Sequence, residues 1–284
     1  LALAWVADSS TYRDRQKALA KLIAFVMLGT IFGPSSSGFI SDALGWRAVF
    51  SMYFVLFLFN AAMLLYILIV SRKVAKRRVT PADWDFRNQI LLLKDPWVRT
   101  VLVTVFIEGA LFHGCHAFAG TYLQHKFGLT ITIAGFVVAF FGLGAIFYTL
   151  LVGRLIRMLR QDGLVLAGGV VMFFCYVSMP LMEKWQYCIF TITLSGFGFF
   201  MFHNTLQTCS SEMIPSKRGI ALCLHGFSML TGTSFGVVFT AFIIQFFGYF
   251  AAYFLSGVGL FVLGIIFKGC LNKRNAKFRC SVEY

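Results

Sequence analysis

The sequence predicts an all-α integral membrane protein, with about eight full transmembrane helices and a short apolar stub ahead of them. Three observations lead there. Hydrophobic residues make up 59% of the 284 positions and charged residues only 13%. The hydrophobic residues gather in runs long enough to cross a bilayer, and Lys and Arg collect on one side of the resulting topology. Soluble domains carry about 25% charged residues. With a mean hydropathy of +0.80 and 34 Phe, a soluble fold would lack the polar residues to coat its outside.

A spanning helix needs about 20 apolar residues. Eight runs reach that length, at 18–41, 46–70, 98–122, 132–153, 163–182, 186–210, 219–246 and 249–270, after the stub Leu1–Ala7. Turn residues separate most of them: Leu44-Gly45-Trp46, Phe127-Gly128-Leu129, Gln161-Asp162-Gly163, Ile214-Pro215-Ser216 and Phe247-Gly248-Tyr249. The long connection is the hydrophilic stretch Ser71–Trp97. The cysteines have no paired spacing and behave as small hydrophobes in apolar surroundings, which predicts neither a disulfide framework nor a zinc site.

The net charge of +14 is topological rather than a sign of nucleic-acid binding. Alternating the runs across the bilayer puts all but Arg47, Lys126 and Lys184 of the 25 Lys and Arg on one side. The positive-inside rule makes that side cytoplasmic, together with the 71–97 loop and the C-terminus. Basic segments there also meet anionic lipid.

A shift of 203 residues overlays two segments without a gap. Arg15 meets Arg218, Gly29 meets Gly232, Gly33 meets Gly236, Phe39 meets Phe242, Gly45 meets Gly248, and Phe50 meets Tyr253. Both copies run the same way through the membrane, the pattern of a parallel repeat in a two-halved carrier. The repeat makes 18–41 the fifth helix of its half, so three spans and most of a fourth are expected before Leu1.

The segment Gly29-Thr-Ile-Phe-Gly33-Pro34-Ser-Ser-Ser37-Gly38 resembles the fifth-helix antiporter motif of the major facilitator superfamily, with Ser37 where that family usually has Gly. Gly45-Trp46-Arg47-x-x-Phe50 is similar to the start of the next helix. Gly153-Arg154-Leu155, with Arg157 and Arg160, is similar to the family's basic cytoplasmic loop, Arg157 replacing its usual Asp. Pro215-Ser-Lys-Arg218-Gly219 matches the loop before helix eleven.

The resemblance implies a two-bundle fold of twelve helices. Residues 1–70 would end the N-terminal bundle (a fourth-helix stub, then helices five and six), and 71–97 would be the central cytoplasmic loop. Residues 98–270 would be the C-terminal six-helix bundle, and 271–284 a cytoplasmic tail. It further implies a monomer in the inner (plasma) membrane, proton-driven export of a small molecule through a cavity between the bundles, and no cofactor.

Gly29 and Gly33 share a helix face on which another backbone can approach, and Pro34 removes a helical hydrogen bond and favours a bend. The expectation is a bent helix at the seam between halves. Gly232 and Gly236, with Val237 replacing the proline, should pack closely.

Ionisable residues within spans point to function. Glu108 lies ten residues past Val98, about 15 Å into a core of roughly 30 Å. A carboxyl there suits alternation between proton and substrate, or a hydrogen-bonded tie between helices. His113 and His116 follow on the same helix, and an ideal wheel sets Glu108 and His116 about 80° apart. Two histidines without a third ligand make no metal site; they line a cavity, relay protons or bond neighbouring helices. His203 and Gln207 share a face, with Asn204 about 100° away, as vestibule lining or ties. His225 and Asn60 read as interhelical ties.

A proton- or ion-coupled importer would share these features, and a chain with an incomplete first bundle would be an inactive remnant. An intramembrane enzyme would need Gly-x-Ser-x-Gly, His-Glu-x-x-His or a carboxylate cluster at depth; the last two are absent from the sequence, and its one Gly-x-Ser-x-Gly, Gly232-Thr-Ser-Phe-Gly236, is the repeat's copy of the Gly29–Gly33 segment.

Overall fold

The computed structural model describes residues 12–70, 93–214 and 218–282, with side chains from residue 25 to 276 apart from 27 and 68. Among the described residues every element is helical. Helix α1 runs Tyr12–Leu44 and α2 runs Trp46–Val70, joined by Gly45 alone. Its φ of +84° is a conformation that a side chain would strain. Pro34 sits inside α1, and the hydroxyls of Ser35 and Ser36 donate to the carbonyls of Ile31 and Phe32 at 3.1 and 2.6 Å.

Helix α3, Pro96–Glu108, is started by Asp95, whose carboxylate accepts from the amides of Trp97 and Val98. Pro96 occupies the first turn, where no N–H is needed. The passage continues through a π-helical turn, Gly109–His113, and a short α-turn, Gly114–His116. Helix α4, Ala119–Phe127, completes it and ends on Gly128 at φ +66°.

Helices α5 (Ile131–Ser178) and α7 (Arg218–Val282) have 48 and 65 residues, each more than twice the length that crosses a core of about 30 Å. Each breaks once, at Arg160 (φ +56°) and at Gly248 (φ +80°), and so reads as two passages. A 3-10 turn, Met179–Leu181, and α6, Trp185–Met213, lie between them. The predicted runs fall on these arms. The predicted turn at Gln161–Gly163 is displaced: the chain reverses at Arg160 and is helical through 161–163. Gly163 provides room instead, because a Cβ there would lie 3.1 Å from that of Leu159. Gly45 and Gly248, which the repeat superposes, both have a positive φ, +84° and +80°.

The core lies where α3, α5, α6 and α7 meet, around Val105, Phe112, Val165, Phe202, Leu260 and Phe267. As predicted, α7 packs closely through Gly232 and Gly236, where a Cβ would collide with the backbone of Phe106 and Ala110. From the α3 side, a Cβ on Gly109 would lie 2.7 Å from the Met229 carbonyl oxygen. Small residues give such helix pairs their contact area in lipid. Gly236→Val is therefore expected to lower the thermal unfolding midpoint in detergent, at a cost of about 1–3 kcal/mol or more.

Helix α1 lies against the first arm of α5. A Cβ on Gly38 would lie 2.7 Å from the Ile131 carbonyl oxygen, and one on Gly135 would meet the Pro34 carbonyl. Among the described residues no heavy atom lies within 4 Å of a Cβ built on Gly29 or Gly33. The close approach expected at those glycines is made on the face carrying Pro34 and Gly38. Along α2 most of the apolar side chains are exposed. Asn60 there donates to the Leu56 carbonyl of its own helix at 2.8 Å.

Candidate functional site

Glu108 ends α3 and is fully buried. Its Oε2 lies 3.0 Å from Nδ1 of His203 on α6, so the carboxyl expected at mid-depth has an imidazole partner on a second helix. The His203 ring stacks on Phe199, one turn earlier, with centroids 4.9 Å apart. Its neighbour on α7 is His225, at a centroid distance of 5.2 Å. His225 is in turn 2.8 Å, through Nδ1, from the Ser210 hydroxyl of α6. A carboxyl, two imidazoles and a hydroxyl from three helices thus follow one another. His225 is an interhelical tie, as expected, and also a member of this chain.

Three buried atoms of this region have no hydrogen-bond partner among the described residues: Glu108 Oε1, His113 Nδ1 and His225 Nε2. Each unmade bond costs about 1–3 kcal/mol.

The π-turn changes where His113 and His116 point. It takes up one residue more than α-helical geometry, which rotates everything beyond it by about 100° relative to an ideal wheel. Glu108 and His116, about 80° apart on that wheel, come to within about 20°. His113 likewise moves toward the Glu108 face. Both rings pack around Phe112: His116 stacks on it at 5.5 Å and His113 meets it edge-on at 5.2 Å. Tyr176 stacks on the same ring, and its hydroxyl donates to the Phe112 carbonyl inside the turn at 3.0 Å. Nothing in the composition of Gly109–His113 announces a π-turn.

The other expected residues are more dispersed. Asn204 is half-buried beside Tyr148 of α5, while Gln207 is exposed. Gly153, Arg154 and Arg157 lie on the exposed last turns of the first α5 arm rather than in a loop. There Arg157 Nε donates to the Gly153 carbonyl at 3.1 Å, because the chain reverses at Arg160 without a loop.

Two contacts escaped sequence reasoning. Ser210 lies near the end of α6 and His225 two turns into α7, and no sequence signal pairs them. Asp42, near the end of α1, accepts from the Ile131 amide at 3.2 Å and from the Thr132 amide and hydroxyl at 2.6 Å each. The Thr132 hydroxyl is the main cause that holds the Asp42 carboxyl below its ordinary value. The carboxylate thereby joins α1 to the N-terminus of α5 at an exposed position.

The family model described as Major Facilitator Superfamily matches residues 1–230. The chain belongs to the major facilitator superfamily. Among the superfamily's curated members it is 24% identical over 245 residues to "Multidrug resistance protein 2" of Bacillus subtilis (strain 168), which covers 83% of this chain and 59% of that protein. It is 25% identical over 282 residues to "Uncharacterized MFS-type transporter YwfA" of the same organism, covering 97% of this chain and 67% of the relative. The chain therefore spans about three fifths to two thirds of the length of these relatives. Superfamily membership and the long apolar helices make it a multi-pass membrane protein.

Proposed function

We propose that the chain is the larger part of a proton-coupled transporter that exports a small organic molecule by alternating access, and that Glu108 is its proton-carrying group. The observation that supports this most is the fully buried Glu108 carboxyl with its partly buried partner His203, a pair that joins two helices. A carboxyl in that position is costly unless it carries function. The Gly29–Gly38 segment and the printed name of one relative support export.

Residues 1–70 are assigned to the first bundle, 98–270 to the second, 71–97 to the cytoplasmic loop between them and 271–284 to a cytoplasmic tail. The transporter works as a monomer in the plasma membrane. A groove of about 520 Å³ between the first arm of α5 and α6, lined by Phe140, Phe147, Phe190 and Phe197 with Gln186 and Thr193, suits an apolar, aromatic molecule.

The test is ethidium flux in proteoliposomes of known orientation, driven by an imposed pH gradient. Uphill movement coupled to proton counterflow supports export. Uptake in the direction of the proton gradient would make the protein an importer, and no gradient-driven flux would remove the coupling. Topology has its own check: a membrane-impermeant thiol reagent should leave Cys280 unlabelled in intact cells. Labelling from outside would overturn the assigned orientation.

A further inference from the structure

Glu108 is fully buried, and among the described residues its carboxyl has one hydrogen-bond partner, His203. A carboxyl so enclosed exchanges a proton with water only through a neighbour that water reaches. We infer that His203 is the proton port of Glu108: a single imidazole that opens on the face of α6 carrying Asn204 and Gln207 and passes the proton between that face and the carboxyl. The inference rests on the proton-coupling reading above and deepens it by naming the residue through which the proton enters and leaves.

Exposure supports it. The His203 side chain keeps 16% of its surface, whereas that of Glu108 keeps none. Its Nδ1 is committed to Glu108 Oε2 at 3.0 Å. Its Nε2 has no protein partner among the described residues and, unlike His113 Nδ1 and His225 Nε2, is not an enclosed atom. Phe199 covers one face of the ring, 12° from parallel at a centroid distance of 4.9 Å.

The surrounding helix shows where the open edge looks. Met201, Phe202, Thr205 and Leu206 of α6 are buried, whereas Phe200, His203 and Asn204 are half-buried and Gln207 is exposed. At about 100° per residue, Gln207 lies roughly 40° from His203 and one turn further along. Asn204 and Gln207 thus offer polar atoms to water beside the ring. On the same wheel Thr193, Phe197, Phe200, Asn204 and Gln207 fall within about 80°, so the port borders the side of α6 that lines the aromatic groove. Titratable groups facing His203 are Glu108 and His113 from the α3 passage and His225 from α7.

Imidazole suits the work because it accepts a proton on one nitrogen while releasing one from the other. On uptake, a water-borne proton binds Nε2, and the proton on Nδ1 moves to Oε2 of Glu108. The ring stays neutral with its proton now on Nε2, and the carboxylate becomes a carboxylic acid. Release runs the two transfers backward: Oε2 returns its proton to Nδ1 and Nε2 gives one to water. The starting tautomer is thereby restored without rotation of the ring, and only Glu108 changes charge.

Time-resolved infrared spectroscopy of the purified protein in lipid nanodiscs, after a pH jump, tests this without a transported substrate. The wild type should show a titrating carboxyl band that is missing from Glu108→Gln. In His203→Gln the amide can still donate to Oε2 but cannot pass a proton through. That variant should keep the amplitude of the band and slow its response about a hundredfold or more. A wild-type rate in His203→Gln would overturn the port while leaving Glu108 as the proton carrier. The wild type alone supplies an independent readout, in nitrogen-15 spectra of histidine-labelled protein, with the His203 ring identified by its closeness to the Glu108 carboxyl carbon. Its proton should sit on Nδ1 while Glu108 is charged and on Nε2 once the carboxyl band shows protonation. A ring that keeps its Nδ1 proton through that range would overturn the port. No titrating band assignable to Glu108 would overturn the coupling reading and the port with it.

Discussion

Glu108→Gln is expected to abolish proton-coupled transport while leaving the protein folded and inserted. Glutamine keeps the length and shape of the side chain, and its carbonyl oxygen can accept from His203 Nδ1 as Oε2 does at 3.0 Å. It cannot take up or release a proton. Gradient-driven ethidium flux in proteoliposomes should therefore fall to the level of empty liposomes, while exchange of ethidium across the membrane without a gradient continues. Expression and thermal unfolding should match the wild type. Coupling that survives Glu108→Gln would remove Glu108 from the mechanism. Glu108→Leu is a harsher change: it removes the partner of His203 Nδ1 and should destabilise by about 1–3 kcal/mol.

The second large effect is expected at the Asp42 junction. On the two-bundle assignment, α1 belongs to the first bundle and α5 to the second, so any rocking of the bundles that separates these ends must break the bonds from Asp42 to Ile131 and Thr132. A disulfide between cysteines placed at 42 and 132, in a background with Cys223, Cys270 and Cys280 replaced, should stop transport completely and release it on reduction. Transport that continues through the oxidised protein would show that the junction does not open. The same contact predicts a pH effect. Because hydrogen bonding lowers the Asp42 pKa, the link is complete at neutral pH and is lost as pH falls through that lowered value. Asp42→Asn should reproduce the low-pH behaviour at neutral pH, read as the reactivity of a cysteine at position 132.

Much of this architecture was legible in the sequence because bilayer thickness imposes a length on every span. The turns at Gly45, Gly128 and Gly248 could be read for a local reason: a positive φ excludes most side chains. Asp95-Pro96 marks a helix start by the same kind of local chemistry. What escaped was tertiary. Arg160 reverses the chain although Gly163 stands nearby, because Gly163 is used to accommodate Leu159. Glu108 was found from its depth, but its pairing with His203 depends on how α6 is rotated against α3, which no single helix encodes. Asp42 looked like an ordinary exposed acid until the N-terminus of α5 stood beside it. The wheel drawn through 108–116 failed for a purely geometric reason, the extra residue in the π-turn.

That extra residue makes the outer part of the α3 passage a separable module. A helix can gain or lose one residue at Gly109–His113 without disturbing the capped start at Asp95 or the Gly128 turn, and the outer part then turns about a quarter of a revolution as a unit. A lineage carrying this fold could thus exchange the whole set of side chains presented above Glu108 in one insertion or deletion, leaving the carboxyl itself in place. Point substitution would need several coordinated steps to reach the same new surface.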